Sequence, residues 1–250
     1  MPLHKVIYLS NNTKLYLWKI TEDFDTLFSQ VKLKDSSLAR LESMKSESHQ
    51  KGFLAVRMLL QHNNYNDFDL YYDEFGKPHL KVDFESLSQH ENLSQHENLS
   101  QHESLSQHEN SKKLLPEALE GNNYISISHS ADFSAIVISN SKVGLDIERV
   151  KVKILRIAAR FMDVSHLQNL SDEEKIKKAT TVWGIKESIF KIKNEKGISF
   201  PNHIFEDDFS FEDKKATATL KFNNKEEKFQ IQFDSVEDYI FVCAFKSINN

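Results

Sequence analysis

Two acidic residues stand two positions apart in a short apolar stretch, "KVGLDIERV", which covers residues 142–150. Apolar residues alternate through this stretch, and the alternation predicts a β-strand. Side chains at positions i and i+2 of a strand share one face, so Asp146 and Glu148 are expected to lie side by side. Neighbouring carboxylates repel each other, and aspartate is a poor strand former. The pair therefore needs a partner that relieves the repulsion.

A second set of polar residues lies in "TVWGIKESIFKIK", residues 181–193. Trp183, Glu187 and Lys191 recur every four residues, so they share one face of a predicted helix. Spacing alone favours an ordinary surface pair between Glu187 and Lys191, worth about 0.3–0.5 kcal/mol. The tryptophan on the same face argues against full exposure, because a large aromatic side chain is usually at least partly buried.

Three further stretches contain residues that bind ligands in some proteins and are purely structural in others. His129 stands between two serines at the end of a predicted strand. Lys77 lies in the turn "FGKP", between two residues that are typical of turns. Arg57 lies within an apolar helical pattern, where it either extends its charge to the surface or contacts an anion. Taken singly, each of these signals is weak.

The periodicity of apolar residues predicts the elements that position these side chains. Strands are predicted at residues 6–9, 15–20, 69–72, 79–82, 124–128, 134–139, 143–147, 216–222, 229–233 and 239–245. Helices are predicted at residues 24–31, 36–44, 46–62, 154–161 and 172–193. Helices and strands do not alternate regularly, so we expect an α+β fold. We divide it into an N-terminal half, residues 1–86, and a C-terminal half, residues 111–250.

The segment between these halves, residues 87–110, consists of four copies of a six-residue unit, "LSQHEN", with one change at Ser104. One apolar residue in six is too few to bury a core, so we expect a disordered, solvated insertion without chemistry. Its removal should be tolerated, since the entropy of closing a loop rises only logarithmically with its length.

Composition is that of an ordinary soluble protein, with 250 residues, 39% hydrophobic and 28% charged content, and a net charge of −5. No run approaches the roughly 18–20 apolar residues that span a bilayer, and no signal peptide is recognised. The single cysteine, Cys243, cannot form an internal disulfide, which favours a reducing cytoplasm. The mild acidity gives no support for nucleic-acid binding. We therefore expect a cytoplasmic protein without membrane or nucleic-acid partners.

Four of these stretches follow one another along the chain in the order "FGKP", "ISHS", "GLDIE" and "WGIKESIFK". In that order they resemble the signatures of the 4′-phosphopantetheinyl transferase superfamily, in the longer, two-halved form of the surfactin-synthetase-activating enzymes. The acidic strand and the tryptophan helix together are highly specific, whereas the other two stretches alone are not. The resemblance covers residues 40–245 apart from the insertion.

The resemblance implies a transferase that uses coenzyme A and Mg²⁺, with Mn²⁺ as the alternative ion. Such an enzyme moves the phosphopantetheine arm to a serine of an apo acyl or peptidyl carrier protein and releases adenosine 3′,5′-bisphosphate. It also implies two similar halves related by a pseudo-twofold axis, with the active site at their interface. Because one chain then builds the whole site, we expect a monomer.

Site residues follow by matching the motifs. The resemblance implies metal ligands at Asp146, Glu148 and Glu187, and makes Glu187 the candidate base, with Glu148 as the alternative. Lys191 is expected to stabilise the leaving phosphate, with help from Lys186. Contacts to coenzyme A are expected from Lys77, Pro78, Ser128, His129 and Arg40, with Arg57 as an alternative to Arg40.

One departure from the family pattern is Gly184, which costs about 1 kcal/mol of helix propensity and for which we expect no role near the chemistry. Two other functions remain as alternatives. One is a catalytically silent relative that binds carrier proteins. The other is a magnesium-dependent nuclease, for which "EDK" at residues 212–214 is a weak cue. A basic patch for an acidic carrier is expected from Arg156, Arg160, Lys193 and Lys196.

Overall fold

Two antiparallel sheets form the centre of the protein in a computed structural model that describes residues 3–81 and 123–247. The first sheet has the strand order β1-β2-β6-β5. Its strands are β1 (Leu3–Ser10), β2 (Thr13–Lys19), β5 (Tyr124–Ser130) and β6 (Phe133–Ser139). Helices α1 (Phe24–Ser29), α2 (Asp35–Ser43) and α3 (Glu47–His62) follow β2, and a small hairpin of β3 (Leu70–Tyr72) and β4 (Pro78–Leu80) follows α3. The predicted insertion, residues 87–110, lies outside the described residues.

The second sheet has the strand order β7-β11-β10-β9-β8, so β7, which carries the two acids, lies at its edge. Its strands are β7 (Val143–Arg149), β8 (Ile204–Glu206), β9 (Lys215–Phe222), β10 (Lys225–Val236) and β11 (Tyr239–Lys246). The long helix α4 (Asp172–Lys193) and the short helix α5 (Phe200–His203) lie between β7 and β8 in the chain.

Three clusters of buried apolar residues hold these elements together as layers. Leu54 and Leu59 of α3 pack against the outer face of the first sheet. Ile185 and Ile189 of α4 pack against the outer face of the second sheet. A third cluster, which includes Leu17 and Phe241, fills the space between the sheets. The result is a helix–sheet–sheet–helix arrangement, which confirms the predicted α+β class; the pseudo-twofold relation remains a prediction.

The division of the chain between the sheets does not follow the division made from the sequence. Strands β5 and β6 lie beyond residue 110, yet β6 pairs with β2 of the N-terminal region. Sheet membership instead changes between β6 and β7. The proposed halves, residues 1–86 and 111–250, remain a prediction, and β5 brings its side chains to the edge of β7.

Helix α4 begins and ends at the predicted residues, and its ends explain why. Ser171 and Glu174 form a reciprocal capping box at the start, and Asn194 adopts a left-handed conformation after the last turn. These are strong local signals for helix termini. Among the described helices, none combines the length and apolar character needed to cross a membrane.

The helix predicted at residues 154–161 is replaced by short 3₁₀ segments at Val152–Arg156, Ala158–Arg160 and Val164–Leu167. No side chain caps the first of these segments, and β-branched residues weaken its helical preference. Ala158 and Phe161 instead anchor the segment on α4. The sequence also gave no prediction for α5 and β8.

Candidate active site

Three acidic side chains meet where the edge of β7 faces α4. Asp146 is buried, with 5% of its surface exposed, and Glu148 is half-buried beside it on β7. Glu187 of α4 lies near enough to both of them for their charges to affect its ionisation. The close approach depends on Gly184, since a β-carbon there would lie 2.6 Å from Val242 Cγ2 and 3.7 Å from Asp146 Oδ2. The expectation that Gly184 lies away from the chemistry is therefore wrong.

The two carboxylate oxygens of Asp146 have different surroundings. Oδ1 accepts hydrogen bonds from Lys191 Nζ at 2.9 Å and from Ser128 Oγ at 3.0 Å. Oδ2 is buried and has no hydrogen-bond partner. A buried carboxylate oxygen without a partner is costly, so this atom marks a place for a ligand of positive charge.

Lys191 provides the partner that the acidic pair on β7 needs. Its ammonium donates to Leu145 O at 2.7 Å, to Asp146 Oδ1 at 2.9 Å and to Ser128 Oγ at 3.1 Å. These contacts use all three of its donors. Lys191 thus pairs with Asp146 and not with Glu187, which replaces the simple surface pair that spacing alone favoured.

The remaining two acids have raised pKa values. Burial and then the negative charge of Asp146 raise the pKa of Glu187 to about 7, with Lys191 opposing and Glu148 adding to the rise. Burial and then Asp146 also raise the pKa of Glu148, against the opposing effects of the nearby Ser130 and Trp183 side chains. A carboxyl group with a pKa near neutrality is suited to accept a proton at physiological pH.

The raised pKa of Glu187 should make the metal-free protein less stable as pH rises. Unfolded Glu187 titrates near its ordinary pKa of 4.5, whereas the folded group holds its proton to about pH 7. The stabilisation is therefore complete below pH 4.5 and is lost as pH rises towards 7. Glu187→Gln should remove this loss and gain about 1–2 kcal/mol over the wild type between pH 5 and pH 8, after allowance for solvent screening. Urea denaturation in EDTA at several pH values measures the free energy of unfolding of both proteins. If this free energy changes equally with pH in both, the prediction is contradicted.

Beside the acids lies a cavity of about 230 Å³ between α2, the β3–β4 hairpin, β5 and α4. Four of the predicted site residues contribute to its wall: Arg40, Lys77, Pro78 and Lys191. Arg40 is exposed, and its guanidinium lies 5.0 Å from the centre of the Tyr72 ring. Three positive charges thus face one cavity next to three acids.

Lys77 joins the hairpin to α4. Its ammonium donates to the carbonyl oxygen of Ile192 at 2.8 Å, which leaves two donors for other partners. Burial lowers the pKa of Lys77, and the nearby positive charge of Lys142 lowers it further. A negatively charged ligand in the cavity would raise the pKa of Lys77 again.

Ser128 and His129 are placed differently from the other predicted contacts to coenzyme A. The Ser128 hydroxyl accepts from Ile147 N at 3.2 Å and from Lys191 and donates to Asp146, so it has no free hydrogen-bonding capacity. The His129 ring lies on the opposite face of β5, against Gly52 of α3, with His49 5.6 Å away. Burial, and then the charges of His49 and Lys191, lower the pKa of His129.

Two basic residues considered for the site lie elsewhere. The Lys186 ammonium is buried and contacts the Ile204 carbonyl and the Glu206 carboxylate of β8. It therefore holds α4 to β8 and does not reach the acids. Arg57 is buried in an ion pair with Asp67, with Nε 2.9 Å from Oδ1, so it does not contact a ligand.

The sequence reasoning missed a group that contacts Glu148. Ser130 Oγ donates to Glu148 Oε2 at 3.0 Å. A signal for this contact was available, because serine recurs at every second residue of β5. Within residues 3–81 and 123–247, no three acidic, histidine or cysteine side chains are already arranged as a metal site.

The region that contains the three acids is similar in sequence to known proteins. Residues 142–244 match the family model described as the 4′-phosphopantetheinyl transferase superfamily. A curated 4′-phosphopantetheinyl transferase, gsp of Aneurinibacillus migulanus, is 31% identical over 134 residues, which are 51% of this chain and 54% of that protein. The chain thus aligns with about half the length of this relative. Through the region that carries β7, α4 and β11, the chain is therefore similar in sequence to the 4′-phosphopantetheinyl transferase superfamily.

Proposed function

We propose that the protein transfers the 4′-phosphopantetheine arm of coenzyme A to a serine of an apo acyl or peptidyl carrier protein. The observation that carries the proposal is the cluster of Asp146, Glu148 and Glu187 beside a cavity with Arg40 and Lys77 in its wall. An acidic end for a cation next to a basic end for phosphates suits a pyrophosphate. The family model that residues 142–244 match and the name of the curated relative support the same reaction class.

The acidic residues fit a magnesium ion. Mg²⁺ prefers oxygen ligands and is usually held by a few carboxylates, waters and substrate phosphates. Asp146 offers a buried oxygen without a partner, and repulsion among the three acids would be relieved by a cation. Asp146, Glu148 and Glu187 would hold Mg²⁺, or Mn²⁺ as the alternative. When bound, the ion neutralises charge on the pyrophosphate and on the leaving phosphate.

In the proposed reaction the carrier serine oxygen forms a bond to the phosphorus that bears the pantetheine arm. The bond from that phosphorus to the bridging oxygen breaks, and adenosine 3′,5′-bisphosphate leaves. Glu187 is the proposed acceptor of the serine proton, with Glu148 as the alternative base. Lys191, which lies between the acids and the cavity, stabilises the leaving phosphate through its charge. Lys186 has no part in the proposal.

Coenzyme A contacts are proposed from the cavity wall. Arg40 and Lys77 would bind phosphate groups, and Pro78 would limit the cavity beside them. His129, which is exposed near the end of β5, would contact the nucleotide. Ser128 instead binds Asp146 and Lys191 and does not contact the substrate in this proposal. In this proposal the active site would lie where β5 of the first sheet faces β7 of the second.

The carrier would meet the exposed 3₁₀ segments that follow β7. Arg156 and Arg160 are exposed there, while neighbouring apolar residues pack on α4. Lys193 does not belong to this surface, since it pairs with Glu195 at 3.0 Å and Glu227 at 2.5 Å. Arg156 and Arg160 are therefore the basic residues that we propose for an acidic carrier. The nuclease cue at residues 212–214 lies in a turn whose Lys214 pairs with Asp234, so nothing favours that alternative.

The test is to incubate the protein with coenzyme A, Mg²⁺ and a panel of apo acyl and peptidyl carriers. Mass spectrometry should detect the added arm on at least one carrier. EDTA should abolish the transfer, and added Mg²⁺ or Mn²⁺ should restore it. A folded protein that modifies none of the carriers would refute the proposal, and one that binds a carrier without modifying it would support the silent relative.

A further inference from the structure

Three serine side chains connect the two sheets along the edge of β7. Ser126, Ser128 and Ser130 of β5 accept hydrogen bonds from the backbone N–H groups of Leu145 at 2.9 Å, Ile147 at 3.2 Å and Arg149 at 3.4 Å. They recur at every second residue, so all three hydroxyls face β7. We call this set the serine ladder. It satisfies backbone donors that an edge strand would otherwise leave unpaired.

Two members of the serine ladder do more than satisfy the backbone. Ser128 Oγ donates to Asp146 Oδ1 and Ser130 Oγ donates to Glu148 Oε2, both at 3.0 Å. Ser126 contacts no carboxylate in the described part of the chain. The ladder therefore contains two serines that hold acids and one that makes only the backbone contact.

Ser130 is placed to fix a side chain that could otherwise adopt several conformations. Glu148 has three rotatable bonds, is half-buried and is repelled by Asp146. A serine has one hydrogen to donate, and the N–H of Arg149 occupies the other side of the Ser130 oxygen. The hydrogen is thus directed at Glu148, and the backbone of β7 orients the carboxylate through Ser130.

We propose that Ser130 is a positioning residue that holds the Glu148 carboxylate in the orientation needed to bind a divalent cation. This inference rests on the metal site of the proposed function. Groups that orient metal ligands through hydrogen bonds typically contribute about 10- to 100-fold to metal affinity. Because Ser130 would act on the cation only through Glu148, its loss should appear as weaker binding and not as a lost ligand.

The experiment measures Mn²⁺ binding by electron paramagnetic resonance, without coenzyme A or carrier. Ser130→Ala should bind Mn²⁺ about 10-fold more weakly than the wild type. Ser130→Thr keeps the hydroxyl and should recover most of the affinity. Ser126→Ala is the matched control, because it removes a backbone contact of the same ladder without touching an acid; its Mn²⁺ affinity should stay within about twofold of the wild type.

Several outcomes would overturn the inference: no Mn²⁺ binding by the wild type, unchanged affinity in Ser130→Ala, or equal losses in Ser130→Ala and Ser126→Ala. The last result would make the ladder a structural device only. Failure of the proposed function looks different. In that case no carrier would be modified, while the dependence of Mn²⁺ affinity on the Ser130 hydroxyl would still be measured.

Discussion

Glu187→Gln should lower the rate of phosphopantetheine transfer by about 10³-fold or more while the protein stays folded. Removal of a general base typically costs about 10²- to 10⁴-fold, and the same change removes a negatively charged metal ligand. The amide has nearly the shape of the carboxyl group, so the packing of α4 should be retained. Steady-state transfer, followed by mass spectrometry of the carrier, measures the loss, and circular dichroism checks the fold.

Glu173→Gln is the matched control for this prediction. Glu173 lies on the same helix, is exposed and pairs with Lys177 at 2.7 Å, far from the acids. Its replacement should leave transfer unchanged. Full activity of Glu187→Gln would remove Glu187 from both proposed roles. Mn²⁺ affinity separates the roles: a lost ligand weakens binding, whereas a lost base lowers the rate and leaves binding intact.

Local signals in the sequence were enough to predict α4 and the shared face of the two acids on β7, whereas the meeting of Glu187 with those acids was implied only by the family resemblance. The helix has a capping box at Ser171 and a left-handed residue at Asn194, and both are encoded within a few neighbouring residues. The alternation in β7 likewise predicted a shared face for Asp146 and Glu148. The α+β class followed from the order of such elements. What no local pattern specified was how the elements are assembled.

Long-range pairs account for the residues that were misplaced. Lys186 resembles a site residue because it adjoins Glu187, yet its partner Glu206 lies on β8, a strand too short to predict from its own pattern. Arg57 resembles an anion ligand until its partner Asp67 is known. A buried charge needs a partner, but the sequence does not show which residue supplies it.

The assignment of β5 and β6 shows the same limitation for strands. Their apolar alternation identified them as strands, but it did not show that β6 pairs with β2 and that β5 faces β7. The serine ladder exists only through that arrangement. In the sequence, Ser126, Ser128 and Ser130 are three small polar residues in a strand; in the fold they connect one sheet to the acids of the other.

Gly144→Ala should strongly destabilise the protein, because β7 and the backbone of α4 are in close contact at this residue. A β-carbon at residue 144 would lie 1.9 Å from the carbonyl oxygen of Ser188 and 2.8 Å from its carbonyl carbon. These are backbone atoms in the middle of a helix, so relief requires moving α4 as a whole. Since overpacking by side chains alone costs about 1–3 kcal/mol, we expect a loss of more than about 3 kcal/mol.

Gly184→Ala provides the comparison, because its obstacle is a side chain. The added β-carbon would lie 2.6 Å from Val242 Cγ2. A second change, Val242→Ala, removes this methyl group. The free energy of unfolding, from urea denaturation, should therefore fall less in Gly184→Ala/Val242→Ala than the sum of the single losses. The same second change should not rescue Gly144→Ala. Near wild-type stability of Gly144→Ala would contradict this packing of β7 on α4, and with it the approach of Glu187 to Asp146 from which the proposed chemistry is argued.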